Sequence, residues 1–216
     1  PIHQAQAQVD RAGEHVRRLT ERYSNAEAAH ADLTAAYDAF AGSFAPSLVQ
    51  GAGKGVADLA GANARSRLRM TALYYFAGLN NLLVAGTGNK IEDFGVGFFT
   101  KYGDGGVDIS PIADLTKTEV YELGRWLRVP EAILVAPPTD GLFGDDRTDE
   151  QQIGATYPEL ERAMAHAERG TDPALLSGRE REVYDIFLRR NRANRHKMEP
   201  IPVCRIPRYL VEPAGR

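Results

Sequence analysis

Residues 82–117 read LLVAGTGNKIEDFGVGFFTKYGDGGVDISPIADLTK, and the fold turns on this stretch. The apolar run at 82–85 has the length and composition of a buried strand. It ends in Gly86, Thr87 and Gly88. Beyond it, Lys90, Lys101 and Lys117 alternate with the acids Glu92, Asp93, Asp104 and Asp108 among glycines. Open α/β sheets bind ligands beyond the carboxyl ends of their strands. Glycine lets a backbone approach such a ligand closely. Acids and lysines together on this kind of connection suit a polyanion carried with a metal ion.

Two common phosphate-binding signatures are excluded. Gly86 and Gly88 do not open a dinucleotide fingerprint, because Ile91 stands where the third glycine belongs. Gly53 and Lys54 do not form a Walker loop either. Leu48 holds its first glycine position and Gly55 its hydroxyl position.

Working outward, residues 56–80 predict a long helix. Leu68, Ala72, Phe76 and Leu79 form one stripe, and Met70, Leu73, Tyr74 and Ala77 another. A helix apolar on two faces belongs in a core or an interface. Arg65, Arg67 and Arg69 interrupt it, with Arg67 pointing opposite the other two at 100° per residue. Residues 5–23 predict an amphipathic helix explained by core packing, 28–33 a short strand, 34–44 a helix and 46–55 a loop. Thr116 and Glu119 have capping-box spacing, so a helix is expected over 116–127 with Lys117 in its positively polarised first turn. The run at 132–136 is short and apolar, and 144–147 reads as a mobile loop. Thr148 to Gln151 opens a further helix whose acids serve as cap material, and helix continues over 157–169. Residues 179–197 form a basic helix with Val183, Ile186 and Phe187 turned inward. The tail at 200–210 is proline-rich and extended, with Cys204 as an inert packing residue.

The totals bound the function. A chain of 216 residues can bury one real core. With 43% hydrophobic and 25% charged residues it is ordinary for a globular domain. A net charge of −3 gives no field for nucleic acid, despite the basic helix near the end. The single cysteine permits no internal disulfide and fits a reducing cytoplasm. No apolar run approaches the ~20 residues that span a bilayer.

The run from Gly86 to Asp108, the Ala64-Arg65-Ser66-Arg67 segment and the pair His196-Lys197 resemble the ammonia-dependent NAD synthetases, a branch of the adenine-nucleotide α-hydrolase superfamily. The resemblance implies a single domain of Rossmann-like α/β fold, with a parallel sheet flanked by helices. It implies a ligase that amidates deamido-NAD to NAD with ammonia. ATP is the co-substrate and Mg²⁺ the cofactor. An adenylated intermediate forms, and AMP and pyrophosphate are released. By position, Thr87, Lys117 and Thr139 match ATP contacts, with Lys117 the catalytic lysine. Arg67, Lys101, Asp108, His196 and Lys197 match deamido-NAD contacts, and Glu92 matches the metal ligand. In one branch of the family, one residue fewer separates this glutamate from the Phe-Thr-Lys run. Counting back from Lys101 then selects Asp93, whereas register with Thr87 selects Glu92. The resemblance also implies a cytoplasmic homodimer packed through long helices. No Ser-His-Asp set is needed, since the nucleophiles belong to the substrates.

The family's Ser-Gly-Gly-x-Asp-Ser phosphate loop does not occur in this sequence. The resemblance puts that loop, with the first two strands, before Pro1. The sequence is therefore expected to be an N-terminally shortened, fold-incomplete version of a longer polypeptide, inactive on its own. Two other readings stand beside it: a fragment of a glutamine-dependent synthetase, and a non-catalytic nucleotide-binding module that dimerises.

Overall fold

The computed structural model describes residues 1–49, 51, 53–139, 141, 148–207 and 210. Helices dominate it. In order they are α1 (Gln6–Arg22), α2 (Thr34–Gly42), α3 (Pro46–Val49), α4 (Lys54–Asn80), α5 (Lys117–Trp126), α6 (Glu131–Leu134), α7 (Asp149–Ile153), α8 (Tyr157–Glu168) and α9 (Gly178–Met198). A π-helical turn, Ile91–Val96, lies between α4 and α5.

The core is built where sequence-distant apolar faces meet. Ile91 and Val96 of the π-turn, Ile153 of α7, Tyr157 and Leu160 of α8, and Val183 and Phe187 of α9 are all buried together. Ile91, Val96 and Leu160 are fully enclosed, each worth about 1.5–3 kcal/mol in transfer from water. As expected for α9, Val183 and Phe187 face inward, with Ile186 packed at the edge.

Polar side chains of α9 lock the π-turn in place. The Asn191 amide donates to the carbonyl of Gly95 at 2.8 Å, and that of Asn194 to the carbonyl of Val96 at 2.8 Å. Gly97 follows in the left-handed region at φ 63°. A Cβ there would sit 2.4 Å from that of Asn194, so both backbone conformation and space require glycine.

Several expectations need correction. Residues 82–85 run extended but carry only an isolated parallel bridge, Ala85 to Ile109. Val84 is buried while Leu82 and Leu83 are 56% and 70% exposed. A parallel strand needs a paired neighbour on each edge for its backbone and packed layers over both faces for its side chains. Among the described residues, only the segment at 108–109 pairs with this run. The parallel sheet is thus represented by that single bridge, and no longer strand is present among the described residues. Residues 28–33 are not a strand, and part of the 46–55 segment is helix α3, with α4 beginning at Lys54. Cys204 is exposed rather than packed in the core. The segment at 144–147 lies outside the described residues.

The long helix α4 forms as expected and ends at Asn81 in the left-handed conformation, φ 56°. Its outer face is open among the described residues, with Tyr75, Phe76 and Leu79 all exposed. The stripe of α1 is likewise only half covered, and no residue of that helix is fully buried. No helix among the described residues is long and apolar enough to cross a membrane.

Candidate functional site

A cavity of about 810 Å³ opens between the middle of α4, the loop after the π-turn and the end of α9. A polar clamp fixes two of its walls. Asp104 Oδ1 accepts from the Ser66 hydroxyl at 2.7 Å and from the Thr100 amide at 3.0 Å. The Asp104 amide donates back to Ser66 Oγ at 3.0 Å. The Thr100 hydroxyl donates to Asn63 Oδ1 at 2.7 Å. Asn63 and Ser66 are three apart, so one face of α4 carries both. The loop is thereby held on the helix that carries Arg67.

Cations ring the cavity. Arg67 Nε donates to the Lys101 carbonyl at 3.2 Å, and Lys101 Nζ donates to the His196 carbonyl. Lys197 Nζ donates to the carbonyls of Gly97 at 2.8 Å and Phe99 at 2.7 Å. Burial pushes the Lys197 ammonium below its ordinary range, against the opposing pull of Asp104. Thr87 lies on the rim, with Arg69 and Arg190 also facing the space. Arg67, Lys101, His196 and Lys197 come from two helices and a loop up to 130 positions apart, and all line one cavity. Three cations and an imidazole so arranged suit a polyanion, and guanidinium adds two parallel donors for phosphate or carboxylate.

A second cluster surrounds Glu92. The helix expected at residue 116 forms with its full capping box, Thr116 and Glu119 bonding each other's backbone. This holds Lys117 at the start of α5, where Nζ lies 2.7 Å from Glu92 Oε1. Glu92 is 16% exposed and Lys117 19%. The Tyr157 hydroxyl also donates to Glu92 Oε1, at 2.7 Å. Burial, followed by the charges of Glu92 and Asp149, pushes the phenol far above its usual range and keeps it a donor. Asp93 points elsewhere, with its carboxyl against Gly88, where an added Cβ would lie 2.1 Å away. Burial, helped by Glu92 and Asp104, pushes Asp93 up to about 6.

The other expected residues lie apart. Asp108 is not among the residues lining the cavity. Its Oδ2 accepts from the Val84 amide at 2.8 Å and its Oδ1 from the Tyr74 hydroxyl at 3.0 Å, which ties the extended segment to α4. Thr139 lies against α1, lining a second cavity with Gln4, Gln8 and Pro137, and accepts from the Gly141 amide at 3.2 Å. Sequence reasoning gave Ser66 and Tyr157 no site role, took Asp104 only as one acid of the glycine-rich connection and read Asp149 as cap material. Ser66 and Asp104 were hidden because a clamp between segments 38 positions apart has no local signature.

The NAD synthase family profile matches residues 4–201. The chain belongs to the NAD synthase family. Among relatives, the NH(3)-dependent NAD(+) synthetase of Carboxydothermus hydrogenoformans is 45% identical over 139 residues, covering 64% of this chain and 52% of that protein. The synthetase of the same name from Archaeoglobus fulgidus is 43% identical over 155 residues, covering 72% and 59%. The chain thus spans about half the length of the curated relatives it matches. Among solved structures, the NMN synthetase of Francisella tularensis superposes with a TM-score of 0.76 at 29% identity, covering 94% of this chain and 75% of that one. The fold is that of the NAD synthetases, consistent with the adenine-nucleotide α-hydrolase class.

Proposed function

We propose that this chain carries the dinucleotide site and part of the ATP site of an ammonia-dependent NAD synthetase. The observation that carries the reading is the convergence of Arg67, Lys101, His196 and Lys197 on one cavity of about 810 Å³, a size suited to a nucleotide-like ligand. Those four residues bind deamido-NAD, with Asp108 fixing the segment beside it. Thr87, Lys117 and Thr139 serve ATP. The bridge between Ala85 and Ile109 belongs to the parallel sheet of the α-hydrolase fold.

The chemistry needs positioning more than protein nucleophiles. The nicotinate carboxylate attacks the α-phosphorus of ATP and pyrophosphate leaves. Ammonia then attacks the activated carbonyl, and AMP departs with the bridging oxygen. Lys117 lowers the energy of charge developing on phosphate oxygens. Arg67 and Lys101 hold the dinucleotide so that its carboxylate meets ATP in line.

Mg²⁺ fits the donor set. Lys117 and Tyr157 both occupy Glu92 Oε1. Among the described residues no hydrogen bond is made to Oε2, which leaves one hard oxygen for a hard cation. No group of three metal-binding side chains occurs among the described residues. One carboxylate with substrate phosphates is the usual magnesium arrangement. Bound there, the ion would neutralise phosphate charge.

The open outer face of α4, with Tyr75, Phe76 and Leu79 exposed, supports a homodimer packed through that helix. The single cysteine suits the cytoplasm.

A second reading comes from the Francisella likeness over 94% of the chain: formation of NMN by amidation of the mononucleotide acid. The test of both is product formation by the intact protein with ATP, Mg²⁺ and ammonium, supplied with deamido-NAD or with nicotinate mononucleotide. NAD formation supports the first reading and NMN formation the second. Glutamine in place of ammonium separates a glutamine-dependent enzyme. Binding of deamido-NAD with no product from either acid would sink the synthetase reading in favour of a binding module.

A further inference from the structure

Behind the Glu92–Lys117 pair stand two residues, Tyr157 and Asp149, that the proposed function places against no substrate. Tyr157 opens α8 and is 3% exposed. Its hydroxyl is 2.7 Å from Glu92 Oε1 and 3.2 Å from Asp149 Oδ2. Asp149 opens α7 and is 7% exposed. Lys117 Nζ lies 4.8 Å from the centroid of the Tyr157 ring. Four elements, the π-turn, α5, α7 and α8, thus place one side chain each around a single oxygen or its donor.

A buried phenol needs only one acceptor, and Asp149, eight positions away on a neighbouring element, could satisfy it. Instead the shorter bond reaches across the fold to Glu92. That choice has a consequence for the carboxylate. A carboxylate offers about four acceptor sites on its two oxygens. Two donors converging on Oε1 fix the group's rotation and leave the Oε2 side for another partner.

The π-turn contributes to this placement. Its wider turn closes i→i+5 and takes up one more residue than an α-helical turn. Here the carbonyl of Glu92 accepts from the amides of both Gly97 and Phe98. Glu92 is thereby aimed at Lys117 and Tyr157 while its neighbour Asp93 turns toward Gly88.

We propose that Tyr157, braced by Asp149, is a positioning residue for the divalent cation: it holds the Glu92 carboxylate with Oε1 occupied so that Oε2 is presented to the metal. The inference rests on the reading in which Glu92 binds Mg²⁺. Partners that orient a metal ligand typically change metal affinity by about 10–100-fold when removed.

The test is Tyr157→Phe in the intact protein, which keeps the buried ring and deletes only the hydroxyl. Two quantities are measured: Mn²⁺ affinity by electron paramagnetic resonance in the presence of ATP, and the Mg²⁺ dependence of product formation. Mn²⁺ affinity is expected to fall about tenfold, and the half-saturating Mg²⁺ concentration to rise about tenfold. KM for the acid substrate stays unchanged. Asp149→Asn shifts both cation readouts the same way by a smaller factor. In a Glu92→Gln background, Tyr157→Phe changes neither further, because the group it positions is already gone. An unchanged Mn²⁺ affinity in Tyr157→Phe overturns the inference. So does a loss of acid-substrate and cation affinity together, in step with a lowered melting temperature, since that is the pattern of a packing defect. If the wild-type protein makes no product, the synthetase reading fails, while the Mn²⁺ titration still decides whether Tyr157 acts on the metal ligand.

Discussion

Leu160 on α8 and Leu79 on α4 are both leucines on apolar helix faces, yet one is 0% exposed and the other 68%. Leu160 meets α9 and the π-turn, whose side chains close over it. Leu79 sits on a face with no partner among the described residues of this chain. Hydrophobic period tells which side of a helix is apolar. It does not tell whether the partner is elsewhere in the chain or in another molecule. The cluster around Glu92 is rooted in the closed region. The cation-lined cavity lies where the closed region meets α4.

The largest expected effect tests that contrast directly. Leu160→Ala should cost about 3–4 kcal/mol by urea unfolding, from lost burial plus a cavity. Leu79→Ala in the isolated chain should stay within about 0.5 kcal/mol. Equal losses would break the comparison and mean that the α4 face is covered in solution. A cost for Leu79→Ala that grows with protein concentration would sharpen it, by identifying the cover as a second copy.

Activity should divide along the same line. Lys117→Ala removes a charge from the closed cluster and should lower kcat/KM for ATP about 100-fold, roughly 3 kcal/mol. Lys101→Ala removes a cavity cation and should raise KM for deamido-NAD with kcat little changed. Unchanged kcat/KM for ATP in Lys117→Ala would remove that lysine from the ATP site. At the seam, Gly97→Ala meets both a left-handed backbone and the Asn194 Cβ at 2.4 Å. A loss of about 2 kcal/mol in stability is expected, accompanied by weaker dinucleotide binding because Lys197 is anchored on the Gly97 carbonyl. Wild-type affinity in a Gly97→Ala protein would separate the anchor from the site.

What the sequence made legible was local. The Thr116–Glu119 box and the inward face of α9 were visible because caps and helical stripes are written within a few residues. The cavity residues Arg67, Lys101, His196 and Lys197 were visible only through resemblance, since nothing in their spacing brings α4 and α9 together. The run at 82–85 reads as a buried strand by its apolar character, yet it shows only the bridge to Ile109 and leaves Leu82 and Leu83 exposed, because strand formation depends on neighbours that local pattern does not contain. The π-turn was invisible for a related reason. Counting along the sequence left Glu92 and Asp93 both open as the metal ligand. In the folded chain Glu92 faces Lys117 and Asp93 faces Gly88.

The smallest effect probes how firmly the closed region is tied at the start of α8. There Glu159 accepts from the Thr156 amide at 2.8 Å and from Arg179 Nε on α9 at 2.8 Å. The Arg179 hydrogen bond, then that from the Thr156 backbone, hold the Glu159 carboxyl down to about 2 from 4.5. A depressed carboxyl binds fewer protons folded than unfolded, so its stabilisation is present above about 4.5 and is lost as pH falls through about 2. Glu159→Gln keeps an acceptor for the cap and deletes the charge. Because Arg179 is 47% exposed, solvent screening discounts the pair, and at pH 7 the variant should be less stable by only about 0.5–1 kcal/mol. Melting curves of the two proteins should converge as pH is lowered from 5 toward 2. A gap that persists at the acid end would mean that Glu159 acts through cap geometry alone. The α8–α9 contact would then owe its strength to Leu160 and Phe187 rather than to charge.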